Sequence, residues 1–181
     1  MDNAVPSPVS EKPSPSPSLR KVLVYGLLLI FFDAFFLDLG VLSKLVVIVV
    51  FLRIVFAAFL YYFFKRSFSW QLVRHFAIYV AVAVLIQGLI IGQNALAFHR
   101  AKNMVEAVEA YHAKYSNYPE SLETMVPEFL NSVPLAKYTV ASHSFFYWKI
   151  EKNNPTFFYM IAPPFFHNNY DFEAHRWHAD D

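Results

Sequence analysis

A chain of 181 residues that is 56% hydrophobic and 16% charged, with a mean hydropathy of +0.33, is more apolar than soluble domains, for which about 45 to 50% is usual. Its net charge of +1 conceals a split, since residues 21–98 carry a net +4 and residues 99–181 a net −3; the acidic half would repel nucleic-acid phosphates. Cysteine is absent, which excludes a disulfide framework and a thiolate metal site.

Residues 1–19 hold five prolines and five serines without apolar periodicity. Such a segment cannot bury enough surface to offset its ordering entropy, and the expectation is a disordered cytoplasmic tail.

Residues 20–98 form a predicted three-helix membrane region. Three apolar stretches, about 22–42, 45–64 and 76–98, each reach the roughly 20 residues that cross a bilayer core. A tight connection around Gly40–Lys44 suits a helical hairpin between the first two. Arg20 and Lys21 flank the first stretch, and Lys65, Arg66, Arg74 and His75 lie between the second and third. Both basic flanks fall on one side of a three-span topology with the N-terminus in the cytoplasm, so the C-terminal half is expected outside, at an inner (plasma) membrane.

Charges within such stretches cost about 2.5 to 3.5 kcal/mol each on the insertion scale. With a hairpin turning near residue 41 or 42, Asp33 and Arg53 come to similar depth, as do Asp38 and Lys44, and two intramembrane ion pairs are predicted. The alternative role for Asp33 and Arg53 is an ion or proton path in a small carrier or channel subunit. On the third stretch Gly88 and Gly92 stand in a GxxxG spacing with Gln87 beside them, a face that lets another helix approach closely. Packing on the chain's own first two helices is favoured over self-association.

No glycine or proline occurs from residue 93 to 118, and Ala97, Ala101, Met104, Val105, Val108, Tyr111 and Tyr115 recur at threes and fours. This is the stripe of an amphipathic helix continuing the third span to about residue 115. Ser116-Asn117-Tyr118-Pro119 ends it, and a short helical turn over 120–126 follows. SFFYWKI (144–150) and TFFYMIA (156–162) read as a strand pair across a 151–155 loop, with two more short strands near 169–172 and 176–178. With no glycine after residue 92, left-handed turn positions are expected at Asn153, Asn154, Asn168 and Asn169. The domain 99–181 is therefore a helix on a small antiparallel sheet, and the whole chain an α+β membrane protein. Phe145, Tyr147, Phe157 and Tyr159 compete with Phe146, Trp148 and Phe158 for the buried face; the candidate interaction surface is Phe145, Tyr147, Trp148, Phe157 and Tyr159.

Tyr115-Ser-Asn-Tyr-Pro119-Glu-Ser-Leu122, Val126-Pro127-Glu-Phe-Leu130, Val133-Pro134 and Tyr170-Asp171-Phe-Glu-Ala-His-Arg-Trp177 resemble the post-helix region and last hairpin of type IV pilins and type II secretion pseudopilins. The resemblance covers about residues 86–181. It implies a pilin-like domain at a bacterial inner membrane and a role in assembly, accessory to a pilus or secretion-type envelope complex. No basic leader, processing glycine or glutamate five residues into a mature helix precedes the third span, so a permanently anchored protein is expected.

No enzyme is expected. Ser142, His143, Ser144 and Asp171 lack a nucleophile elbow or a glycine-bearing oxyanion loop. His175 and His178, three apart on a strand, would point to opposite faces, so neither they nor His167 read as a metal site. No nucleotide fingerprint is present, and no cofactor is expected. The expected partners are the lipid bilayer and another envelope protein, or a second copy, met through the third span or the aromatic sheet.

Overall fold

The computed structural model describes residues 19–64, 70–151 and 154–180. Residues 1–18 of the expected tail and residues 65–69 of the basic segment between the second and third apolar stretches lie outside the described residues. The chain opens with α1 (Leu19–Ile30), which runs on as a π-helical segment, Phe31–Phe36. Residues 37–40 make the turn into α2 (Val41–Phe64), and α3 spans Trp70–Tyr115. A 3-10 turn, Leu122–Met125, precedes β1 (Phe145–Glu151), β2 (Asn154–Ala162), β3 (Phe166–Asp171) and β4 (Arg176–Asp180).

Two of the three expected spans, α2 over Val41–Phe63 and α3, are long and apolar enough to cross a membrane. The first apolar stretch is shorter than expected: its helix ends at Phe36, and α2 begins at Val41 rather than near residue 45. Gly40 explains the position of the turn, because its φ of 65° belongs to the left-handed region that glycine enters without steric cost. Antiparallel α2 crosses the lower part of α3, with Phe51 and Phe76 in ring contact at 6.0 Å, while Gly26 of α1 lies against Val82.

At 46 residues, α3 is roughly 70 Å long. It ends where the Ser116 backbone turns left-handed (φ 54°) and its N–H bonds back to the His112 carbonyl at 2.8 Å, the usual way of closing a helix end. Most of the predicted stripe packs: Ala97, Ala101, Met104, Val105 and Val108 are buried with Phe157 and Tyr159 of the sheet, Phe172 just after β3, and Leu122 and Met125 of the 3-10 turn, with Tyr111 partly buried, whereas Tyr115 at its end stays exposed.

The sheet is an antiparallel meander in the order β1-β2-β3-β4. Glu151 pairs with Asn154, so the hairpin loop is shorter than the 151–155 span expected. The asparagine assignments for left-handed turns are corrected: Asn168 and Asn169 are strand residues paired to β2 and β4, Asn154 begins β2, and Asn153 lies outside the described residues. Among the described residues the left-handed non-glycine positions are Asp38, Ser116 and His175. Strand direction sets the two ends of the domain. The Asp171–Arg176 turn meets Glu109, high on α3, through Tyr170 (3.3 Å) and His175 (3.0 Å); the start of β1 and the β2–β3 turn lie at the opposite end, toward α1 and α2.

Candidate functional site

Of the residues singled out for their chemistry, Asp33, Asp38 and Gln87 come together where the α1–α2 hairpin meets the sheet domain. Asp33 is fully buried, and its carboxylate accepts from the backbone N–H groups of Leu42 (3.3 Å) and Ser43 (2.7 Å). These are free donors in the first turn of α2, where the positive end of the helix dipole also favours an anion. The Ser43 hydroxyl donates to the Gly40 carbonyl at 3.1 Å. Asp33 therefore caps the second helix from the first. The predicted Asp33–Arg53 pair does not form; Arg53 lies exposed on α2, because the turn offered Asp33 nearer partners.

Asp38 likewise does not pair with Lys44, which is exposed in the first turn of α2. Its partner is Lys137, 99 residues away, at 2.6 Å, and both side chains are fully shielded. The Lys137 ammonium also donates to the Ile161 carbonyl at 2.9 Å, so one group ties the hairpin turn to the end of β2. Burial pushes the Asp38 carboxyl up and the Lys137 ammonium down from their ordinary values, each opposed by the other's charge. Ser142 lies beside Asp38 and also lowers its carboxyl pKa, and Thr139 Oγ1 is buried without a hydrogen-bond partner among the described residues.

Further bonds extend this junction. Val140 N–H donates to the Phe35 carbonyl at 2.9 Å, Tyr138 N–H to Gln93 Oε1 at 3.0 Å, and Gln87 to the Gly40 carbonyl at 3.4 Å. Arg100 donates to the Leu135 carbonyl at 2.7 Å and lies over the Tyr138 ring. Sequence reading missed Lys137. The available signal was its isolation as the sole Lys, Arg, Asp or Glu between Glu128 and Lys149.

Gln87 faces the hairpin, but Gly88 and Gly92 do not. A β-carbon added at either would meet nothing within 4 Å, so the predicted packing of these glycines on α1 and α2 is corrected. They lie on an exposed face with Val84, Leu85 and Ile91.

The sheet decides which aromatic set is buried. Phe157 and Tyr159 are buried, and Phe145 and Tyr147 pack against the same core. These four are removed from the candidate surface, because alternation turns them toward α3. The Tyr147 hydroxyl donates to the Pro119 carbonyl at 2.8 Å, and burial pushes its pKa well up. Trp148 stays exposed and belongs with Phe146 and Phe158: the Phe146 and Phe158 rings stack at 4.8 Å, Trp148 meets Phe158 edge-on at 5.3 Å, and His167 adds a contact at 5.1 Å.

No protein-family model, no curated protein and no solved structure matches this chain.

Proposed function

We propose that the chain is a membrane-anchored, non-catalytic interaction protein, with three spans, a cytoplasmic N-terminus and a pilin-like domain outside the inner membrane. The observation that carries this reading is α3, whose lower half exposes apolar side chains while its upper half supplies the core of the sheet domain. A continuous helix of that kind fixes the domain's position relative to a bilayer, as an assembly component requires. The turn at 37–40 lies at the same level as the domain, which supports a hairpin whose connection is on the domain's side. The docking surface is the aromatic row Phe146, Trp148 and Phe158, and the partner is another envelope component or a second copy, accessory to a pilus or secretion-type complex. An open face with Gly88 and Gly92 suits self-association within the membrane.

The test is photocrosslinking in the native membrane with a photoreactive residue at Trp148 and, as a control, at Glu173. The reading expects a discrete crosslinked species from position 148 that Phe158→Ser abolishes. Equal yields from both positions, or none from 148, would overturn it.

A further inference from the structure

The end of the sheet domain nearest the hairpin carries apolar side chains that the fold leaves uncovered. The β2–β3 turn reads Pro163-Pro164-Phe165-Phe166, with Phe165 70% and Phe166 50% exposed. At the same end Tyr138 and Val140 are exposed, although their backbones are bonded to Gln93 and Phe35. Within the domain these rings gain nothing, since the core is already filled by the opposite set. Large aromatics left in water at a loop tip call for an apolar or interfacial neighbour.

Position identifies that neighbour. Lys137 touches both Asp38 in the 37–40 turn and the Ile161 carbonyl, only four residues before Phe165. α2 begins directly after the 37–40 turn, and apart from Lys44, one turn in, its exposed surface is apolar at Val41, Leu45, Ile48 and Leu52. A bilayer that covers this surface ends at the 37–40 turn, and the Phe165 loop lies at that edge. Tyrosine concentrates at this boundary because its amphipathic ring suits the headgroup layer, and phenylalanine is found on the apolar face of segments that lie in the interface.

We propose that the Pro163–Phe166 turn, flanked by Tyr138 and Val140, is a membrane-contact foot seated in the headgroup layer of the bilayer that α2 and α3 cross. The foot would brace the domain against the membrane on the sheet side, as α3 does on the helix side, and fix how the aromatic row faces a partner. This inference rests on the reading of α2 and α3 as spans.

The chain contains no cysteine, so single cysteines can be introduced into the full-length protein and spin-labelled in phosphatidylcholine–phosphatidylglycerol liposomes. Collision with oxygen reports lipid, and collision with a water-soluble nickel chelate reports solvent. Labels replace Phe165, Phe166, Leu52 at the middle of α2, and Glu173 at the far end of the domain. The expected result is a shift of Phe165→Cys and Phe166→Cys toward oxygen and away from nickel relative to Glu173→Cys, approaching Leu52→Cys. Solvent-like labels at 165 and 166 beside a lipid-like label at 52 would overturn the foot and leave the spans standing. A solvent-like label at 52 would overturn the spans and the foot with them. Labels at 165 and 166 shielded from both reagents would mean that protein covers the loop, which also overturns the proposal.

Discussion

Below Gln93 the exposed positions of α3 include Val84, Leu85 and Ile91, whereas above it they include Lys102, Glu106 and Lys114. The inward positions differ too. Beside the apolar Ile86, Val22 and Ala34, the lower half turns Gln87 toward a hairpin that buries Asp33, Asp38 and Ser43, while the upper half buries Ala101, Met104, Val105 and Val108. One helix thus carries two surfaces, an apolar exterior around a partly polar junction below and a charged exterior around an apolar core above, and the upper pattern is the one that burial from water produces. The changeover lies where Gln93, Arg100, Lys137 and Asp38 meet, and perturbing that boundary is the severest way to break the contrast.

Lys137→Met leaves Asp38 as an unpaired buried carboxylate, an expected loss of about 3 to 5 kcal/mol. The double variant Lys137→Met/Asp38→Leu replaces both charges by apolar groups and should recover most of that loss. Chemical unfolding in nanodiscs, followed by near-ultraviolet circular dichroism, checks both. A double variant no more stable than the single one would mean that the pair contributes something other than charge balance.

Gly40→Ala comes next. A β-carbon there would clash with Gln87 Nε2 and lie 3.0 Å from Ile90 Cδ1 at a φ of 65°, so strain of about 1 to 3 kcal/mol is expected. The loss should be smaller in Gly40→Ala/Gln87→Ala, which clears the nearest clash, and the same unfolding assay reads it.

Asp33→Ala removes a cap from α2 and should cost about 0.5 to 2 kcal/mol. Because Arg53 is not its partner, the effects of Asp33→Ala and Arg53→Gln should add to within about 0.5 kcal/mol. A rescue in the double variant would restore the intramembrane ion pair. The sequence singled out Asp33 and Asp38 correctly as unusual, since acids in apolar stretches are costly wherever they point. It could not supply their partners, because a register argument within one hairpin sees only the charges on its two helices. Backbone donors at a helix start and a lysine 99 residues away become neighbours only through the fold. By the same logic the α3 stripe and the four strands were legible, since each is written in local periodicity. Which aromatic set faces α3 was not legible, because Phe145 and Phe146 are equally apolar and the choice depends on how the sheet docks.

On the outer face of α3, Gly88→Leu meets open space, so the monomer's stability should change by less than about 0.5 kcal/mol. Any larger consequence should appear in association: a drop in the dimer fraction by in-membrane crosslinking would assign this face to a second copy, and an unchanged fraction would leave it to lipid.

The smallest effect expected lies on the exposed turn at the far end of the domain. The Asp171 carboxylate accepts from the N–H groups of Glu173 and Ala174, each at 2.9 Å, and the Ala174 bond, followed by the Glu173 bond and the nearby positive charges, holds its pKa below the ordinary 3.8. The ionised form is therefore favoured by folding, so the contribution is present above pH 3.8 and lost as the pH falls through the lower folded-state value. Hydrogen exchange at the Glu173 and Ala174 amides should accelerate, relative to the intrinsic rate, on acidification across that window. Asp171→Asn retains an acceptor but no titration and should abolish the pH dependence while leaving exchange at Ser43 unaltered.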